Sequence, residues 1–163
     1  MLIHNPSTRR NAVMSDKTMP ITGGCLCGAV RYESSEPPQR TLYCHCRMCQ
    51  RAGGGPFKVS AFFRSDAVHF TRGRAKLYQS SDIAERGFCE ICGSQLIFQM
   101  AGSALIAIDI GTLDHPEDVS PAYHTGVESQ VPWLIIDDDL PRMRTDDNLN
   151  LRALKAAAEQ GEA

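Results

Sequence analysis

The sequence lacks any stretch approaching the roughly 20 apolar residues of a membrane span, and its first 20 residues hold no apolar core of a secretory signal. It also lacks a charge excess: 17 Lys and Arg stand against 19 Asp and Glu, a formal net charge of −2, and the pI is near 6.2. These absences predict a cytoplasmic protein with no membrane association and no general attraction to nucleic acid. Thiolate ligation of metal would only make it more acidic. No internal repeat or low-complexity tract is present, and the one glycine run, Gly53–Gly55, has no Lys-Ser or Lys-Thr sequel and so is no P-loop.

What the sequence does have is cysteine: 7 in 163 residues. That is high for an intracellular domain and too sparse for a disulfide-stapled mini-protein. A chain of this length buries roughly two-thirds of its unfolded surface and needs no cross-link to make up for a missing core. An odd number also leaves one thiol over from complete pairing.

Residues 1–20 show neither helical nor strand period and read as a flexible tail, with Met14 and Met19 as alternative starts to Met1. From Ile21 to about Pro141, short apolar runs alternate with Gly, Pro, Ser and Asp, the texture of one mainly β domain. Strands are predicted at 29–33, 40–44, 57–63, 67–70, 76–80, 94–99 and 105–110. The intervals are too short for crossover helices, so antiparallel hairpins are expected. Short helices are peripheral: a turn at 47–52 stopped by the glycine run, and a helix at 148–160 within a C-terminal extension, 142–163.

All seven cysteines fall in three clusters: Cys25 with Cys27, then Cys44, Cys46 and Cys49, then Cys89 with Cys92. Close pairs let one turn present two sulfurs to an ion while its N–H groups hydrogen-bond the thiolates. Cys89-Glu-Ile-Cys92-Gly93 has the form of a zinc knuckle, and Cys25 and Cys27, flanked by glycines, are its simplest complement in a closed four-sulfur structural site. Buried inert thiols and a CxxC redox pair are the competing readings; the absence of a thioredoxin-like βαβ pattern weakens the second.

Cys44, Cys46 and Cys49 then give three sulfurs and no fourth, as in sites that keep a position for substrate. His45 lies between two ligands that share a face, so its ring is expected to point away. Three thiolates make zinc a poor Lewis acid but a good partner for one more thiolate, which points to a thiol or thiol adduct as substrate. Arg47, Arg51, Gly54, Gly55 and Lys58 follow directly, and are candidates to dock its carboxylates; a plain glycine loop with solvated basic residues is the competing reading. His69, His115 and His124 are assigned surface or structural roles, Trp133 a core or capping role, and Asp137–Asp139 a solvated turn.

The runs Gly23-Gly24-Cys25-Leu26-Cys27-Gly28-Ala29-Val30-Arg31-Tyr32, Cys44-His45-Cys46-Arg47-Met48-Cys49, Phe88-Cys89-Glu90-Ile91-Cys92-Gly93-Ser94 and Trp133 to Pro141 resemble the glutathione-dependent formaldehyde-activating, or centromere protein V, domain family. The resemblance implies an Mss4-like (β-tent) fold of antiparallel sheets around two zinc ions. One is structural, matched to Cys25, Cys27, Cys89 and Cys92; the other is catalytic, matched to Cys44, Cys46 and Cys49. It implies condensation of glutathione with formaldehyde to S-hydroxymethylglutathione, a carbon–sulfur lyase activity. Domain membership alone does not fix a reaction. A non-catalytic zinc module for protein recognition and a redox or metal-buffering protein are the alternatives.

Overall fold

In the computed structural model, residues 20–148 are described, together with Arg152 and Ala156. The strands are β1 (Ile21–Gly24), β2 (Arg31–Ser34), β3 (Arg40–Cys44), β4 (Lys58–Arg64), β5 (Val68–Arg72), β6 (Lys76–Ser81), β7 (Ala84–Phe88), β8 (Gln95–Met100), β9 (Leu105–Asp109), β10 (His124–Thr125) and β11 (Arg142–Met143), with one α-helix, α1 (Arg47–Gly53), between β3 and β4. They form a three-stranded sheet, β1-β2-β5, and an eight-stranded sheet, β11-β10-β3-β4-β9-β8-β7-β6. The protein is mainly β, as its short alternating runs predict.

Period-two alternation decides what each face of the large sheet does. On β4, Ala61 and Phe63 are fully buried in the core with Tyr32 of the small sheet, Leu96, Ile106 and Ile108. Burying a side chain such as Phe63 is worth roughly 1.5–3 kcal/mol. Lys58, Ser60 and Phe62 of the same strand face the opposite way and line a cavity. Tyr32 reaches the end of the core with its ring edge-on to Phe70 and its hydroxyl 2.6 Å from Thr112 Oγ1.

Helix α1 follows the expected turn at 47–52, one residue longer. Gly54 ends it in the left-handed region at φ 68°, and its N–H donates to Gln50 O, a conformation glycine adopts without a Cβ penalty.

Four features depart from the sequence reading, the first being the strand Ile21–Gly24, which is not among those predicted. The strand Ala84–Phe88 is not among the predicted strands. It forms because Gly87 lets β7 lie against Ile97, where a Cβ would stand 2.5 Å from Cγ1. Pairing is not wholly antiparallel: β10 lies parallel to both β3 and β11, so the chain from Arg142 enters the sheet as strand. Trp133 is 73% exposed rather than core or cap. The predicted helix at 148–160 lies outside the described residues apart from Asn148 and the helical Arg152 and Ala156, as do residues 1–19 of the tail. Among the described residues no helix is long and apolar enough to cross a membrane.

Candidate metal centres

Two hairpin-like turns bring four cysteines together. The link from β1 to β2 carries Cys25 and Cys27, and the link from β7 to β8 carries Cys89 and Cys92. Their sulfurs all lie within 4.8 Å of one another, with Cys25–Cys27 at 3.5 Å and Cys27–Cys89 at 3.8 Å. A tetrahedral Zn–S₄ site with bonds of about 2.3 Å has edges of about 3.8 Å, so this donor set fits zinc. Backbone geometry supports the thiolates. Val30 N–H donates to Cys25 Sγ at 3.2 Å, and Gly93, at φ 76°, closes the second knuckle by donating to Cys89 O. Ser94 holds the Cys92 thiol down to about 5. The Ala29 N–H favours ionisation of Cys27, but Cys25, burial and the other sulfurs push it up to about 12. Four thiolates at this spacing need a cation to coexist.

The second cluster is built where β3 runs into α1. Cys44 ends the strand, Cys46 caps the helix by accepting from Cys49 N–H at 3.4 Å, and Cys49 sits in the first turn. Cys44 and Cys46 sulfurs are 3.4 Å apart, and no fourth Cys, His, Asp or Glu among the described residues joins the set. Cys44 and Cys49 hold the Cys46 thiol down to about 2, while Cys46, Cys49 and burial push Cys44 far up. The spacing again suits a soft dication, with one position left unfilled by protein.

His45 turns away from the triplet, as its place between two ligands predicts. Its Nε2 lies 2.9 Å from His124 Nδ1, and His124 Nε2 is 3.1 Å from both Asp138 oxygens. His124 thus has the structural, hydrogen-bonded role expected. Asp138, by contrast, is a buried histidine's acceptor rather than part of a solvated turn. His115 is exposed beside Glu117, and His69 is exposed on β5.

All three triplet cysteines line a cavity of about 150 Å³ on the second face of the large sheet. One register row crosses its floor. Arg40 pairs with Phe62, Phe62 with Ala107, Ala107 with Phe98 and Phe98 with Arg86. Each guanidinium lies over its phenylalanine, Arg40 at 4.3 Å and Arg86 at 4.8 Å. Arg86 is 4% exposed and donates from Nη2 toward Cys49 Sγ at 3.7 Å. Lys58 Nζ lies 2.5 Å from Asp109 Oδ2 in the cavity wall.

Of the sequence candidates for substrate contact, Lys58 lines this cavity, but Arg47, Arg51, Gly54 and Gly55 line a separate open cleft with Pro56, Val131 and Trp133. The reason is helical spacing. Positions 47, 51 and 54 share a face of α1 roughly opposite Cys49. Arg40, Arg86, Asp109 and Tyr123 were missed. Each reaches the cavity through strand register or chain return, which local spacing does not encode.

A family model described as glutathione-dependent formaldehyde-activating enzyme matches residues 20–129. A Halomonas elongata protein that carries the provisional name glutathione-dependent formaldehyde-activating enzyme is 30% identical over 133 residues, 73% of this chain and 82% of that protein. An uncharacterized lyase of Schizosaccharomyces pombe is 33% identical over 76 residues, 47% of this chain; the match spans only 55% of the yeast protein. The crystal structure of a Rhodobacter sphaeroides protein, 27% identical, superimposes with a TM-score of 0.50 over 61% of this chain and 91% of its own.

Proposed function

The chain belongs to the glutathione-dependent formaldehyde-activating family, and from that membership we propose that it is a zinc-dependent carbon–sulfur lyase or synthase. Its reaction joins a small thiol such as glutathione to an aldehyde such as formaldehyde, or parts the adduct. The observation that carries this reading is the division of the sulfurs: one cluster is closed at four, and the other stops at three beside a cavity. Structural zinc sites are completed by the protein, whereas catalytic ones keep a position for substrate. On this reading Cys25, Cys27, Cys89 and Cys92 hold a structural ion and Cys44, Cys46 and Cys49 a catalytic one, two Zn²⁺ per chain.

Zinc bound at the triplet would hold a substrate thiol as its thiolate and lower that thiol's pKa. The remaining work falls to side chains. Arg86 donates toward Cys49 Sγ and so orients that sulfur. Leu42, Phe62 and Phe98 form a wall that keeps water from the reacting carbon. In the direction of synthesis the sulfur–carbon bond forms, the carbonyl π pair moves onto oxygen, and the proton given up by the thiol ends there. We assign stabilisation of that oxygen to Arg86, which donates toward Cys49 Sγ, and to Lys58, which pairs in register with Cys44 and lines the same cavity.

Metal analysis and glutathione-dependent consumption of formaldehyde test the reading together. Two zinc ions per chain are expected, with Cys46→Ser losing one ion and the activity. Unchanged stoichiometry and unchanged turnover in Cys46→Ser would sink it.

A further inference from the structure

The cavity beside the triplet is poorly matched to formaldehyde. That aldehyde has no apolar surface beyond its reacting carbon, yet the wall contains Leu42, Phe62, Phe98, Met100 and, from α1, Met48. Apolar lining adds affinity only when the ligand brings apolar surface to cover it. Enzymes draw binding energy from the parts of a substrate that do not react, and formaldehyde has no such part.

The register row sets the shape of the wall. Phe62 and Phe98 stand on strands two positions apart in the sheet, about 10 Å by ordinary strand spacing, with only the methyl group of Ala107 between them. The outer side of each ring is covered by a guanidinium, Arg40 on Phe62 and Arg86 on Phe98. Among the described residues neither arginine has a carboxylate partner, the cavity's one carboxylate, Asp109, being paired with Lys58. Among the described residues Arg40 Nε, itself buried, meets no hydrogen-bond acceptor. The cavity therefore offers flat apolar faces in the middle, uncompensated positive charge at the Arg40 end and, at the other end, a guanidinium that faces Cys49.

We infer that the electrophile this protein handles carries an aromatic ring, seated against Phe62 and Phe98, while Arg40 holds a carboxylate of the thiol carrier. The substrate class is the hemithioacetal of an anionic thiol with an aromatic aldehyde. The inference rests on the thiol–aldehyde reading of the triplet. Its chemistry is the same balanced step: the sulfur bonds the aldehyde carbon, the carbonyl π bond opens, and the thiol proton ends on oxygen, so no oxidant or reductant is needed.

Calorimetric titration of the zinc-loaded protein with S-benzylglutathione and with S-methylglutathione tests it. Neither thioether has a free thiol, so their difference reports the cavity and not the sulfur vacancy. Burial of the ring predicts at least about ten-fold tighter binding of the benzyl compound. Phe98→Leu keeps an apolar residue but removes a flat face, and should bring the ratio toward one while circular dichroism confirms the fold. Equal affinity of the two thioethers for the wild-type protein, with formaldehyde and glutathione still condensed, would overturn the aromatic assignment and leave the thiol–aldehyde reading standing. Failure to turn over glutathione with either formaldehyde or 4-nitrobenzaldehyde would overturn both.

Discussion

His45 and His124, 79 residues apart, meet ring to ring with Nε2 and Nδ1 2.9 Å apart, and both are fully buried. Their protonation is ordered from one end. With His124 neutral, Asp138 accepts from its Nε2–H, its Nδ1 carries a lone pair, and His45 donates to it from Nε2. Tyr43 stacks on His124 with centroids 4.6 Å apart. This chain of contacts ties β10 and the segment around Asp138 to the strand that carries Cys44.

Replacing His124 by Ala removes a buried acceptor and opens a hole beside His45. A loss of about 2–4 kcal/mol is expected, read as a shift in the urea midpoint at constant m-value. Asp138→Asn keeps the shape and should cost less.

The same pair predicts a pH response. Burial holds His45 below the ordinary imidazole value, and His124 adds to the shift. The unfolded chain then takes up a proton first, so this contribution to stability is whole above about pH 6.5 and falls as pH drops through that value toward the lowered native one. Urea titrations at pH 7.5 and 5.5, with zinc content assayed in the same samples, should show the decline; equal midpoints would contradict it.

How much of this was legible in the sequence varies with range. The strands at 40–44 and 105–109 follow from alternation, and the cysteine clusters from their spacing. The Arg40–Phe62–Ala107–Phe98–Arg86 row is not legible, because its members come from five strands and meet only once register is set. Arg86 in particular sits beside Glu85 and Gly87 with no apolar alternation to mark a strand, and its strand character comes from pairing with β6 and β8. Asp138 looks solvated in a run of three acids because its partner, His124, lies 14 residues earlier.

Asp109 and Lys58 form a pair largely withdrawn from solvent. Asp109→Asn leaves the ammonium uncompensated and should destabilise by about 3–5 kcal/mol, whereas the double change Lys58→Met with Asp109→Leu should cost less than either partner removed alone. A double-mutant cycle in urea measures the coupling.

Gly126 sits at φ 68° where an added Cβ would lie 2.8 Å from Cys46 N. Gly126→Ala should push on the triplet without altering any sulfur. The expected result is weaker metal retention at the triplet against a chelator, with the other cluster unaffected; equal retention would mean that β10 yields instead.

Arg86→Lys keeps the charge but loses the planar group over Phe98 and the fork toward Cys49. A fall of about 10- to 100-fold in kcat/KM for the thiol–aldehyde reaction is expected, from one charge-assisted hydrogen bond lost near the reacting atoms. Unchanged kinetics would remove Arg86 from the proposed machinery.

The two sulfur clusters differ in how far along the chain they reach. Cys44, Cys46 and Cys49 are neighbours, so their site is complete as soon as residue 49 has left the ribosome and requires almost no loop closure. Cys27 and Cys89 are 62 residues apart, and the loop-closure entropy of that span must be met before the quartet can bind. During synthesis, then, the set of sulfurs proposed to take the catalytic ion is gathered well before the chain can close its own scaffold. On the proposed two-ion reading, the ion that joins the β1–β2 turn to the β7–β8 turn is the last to be bound.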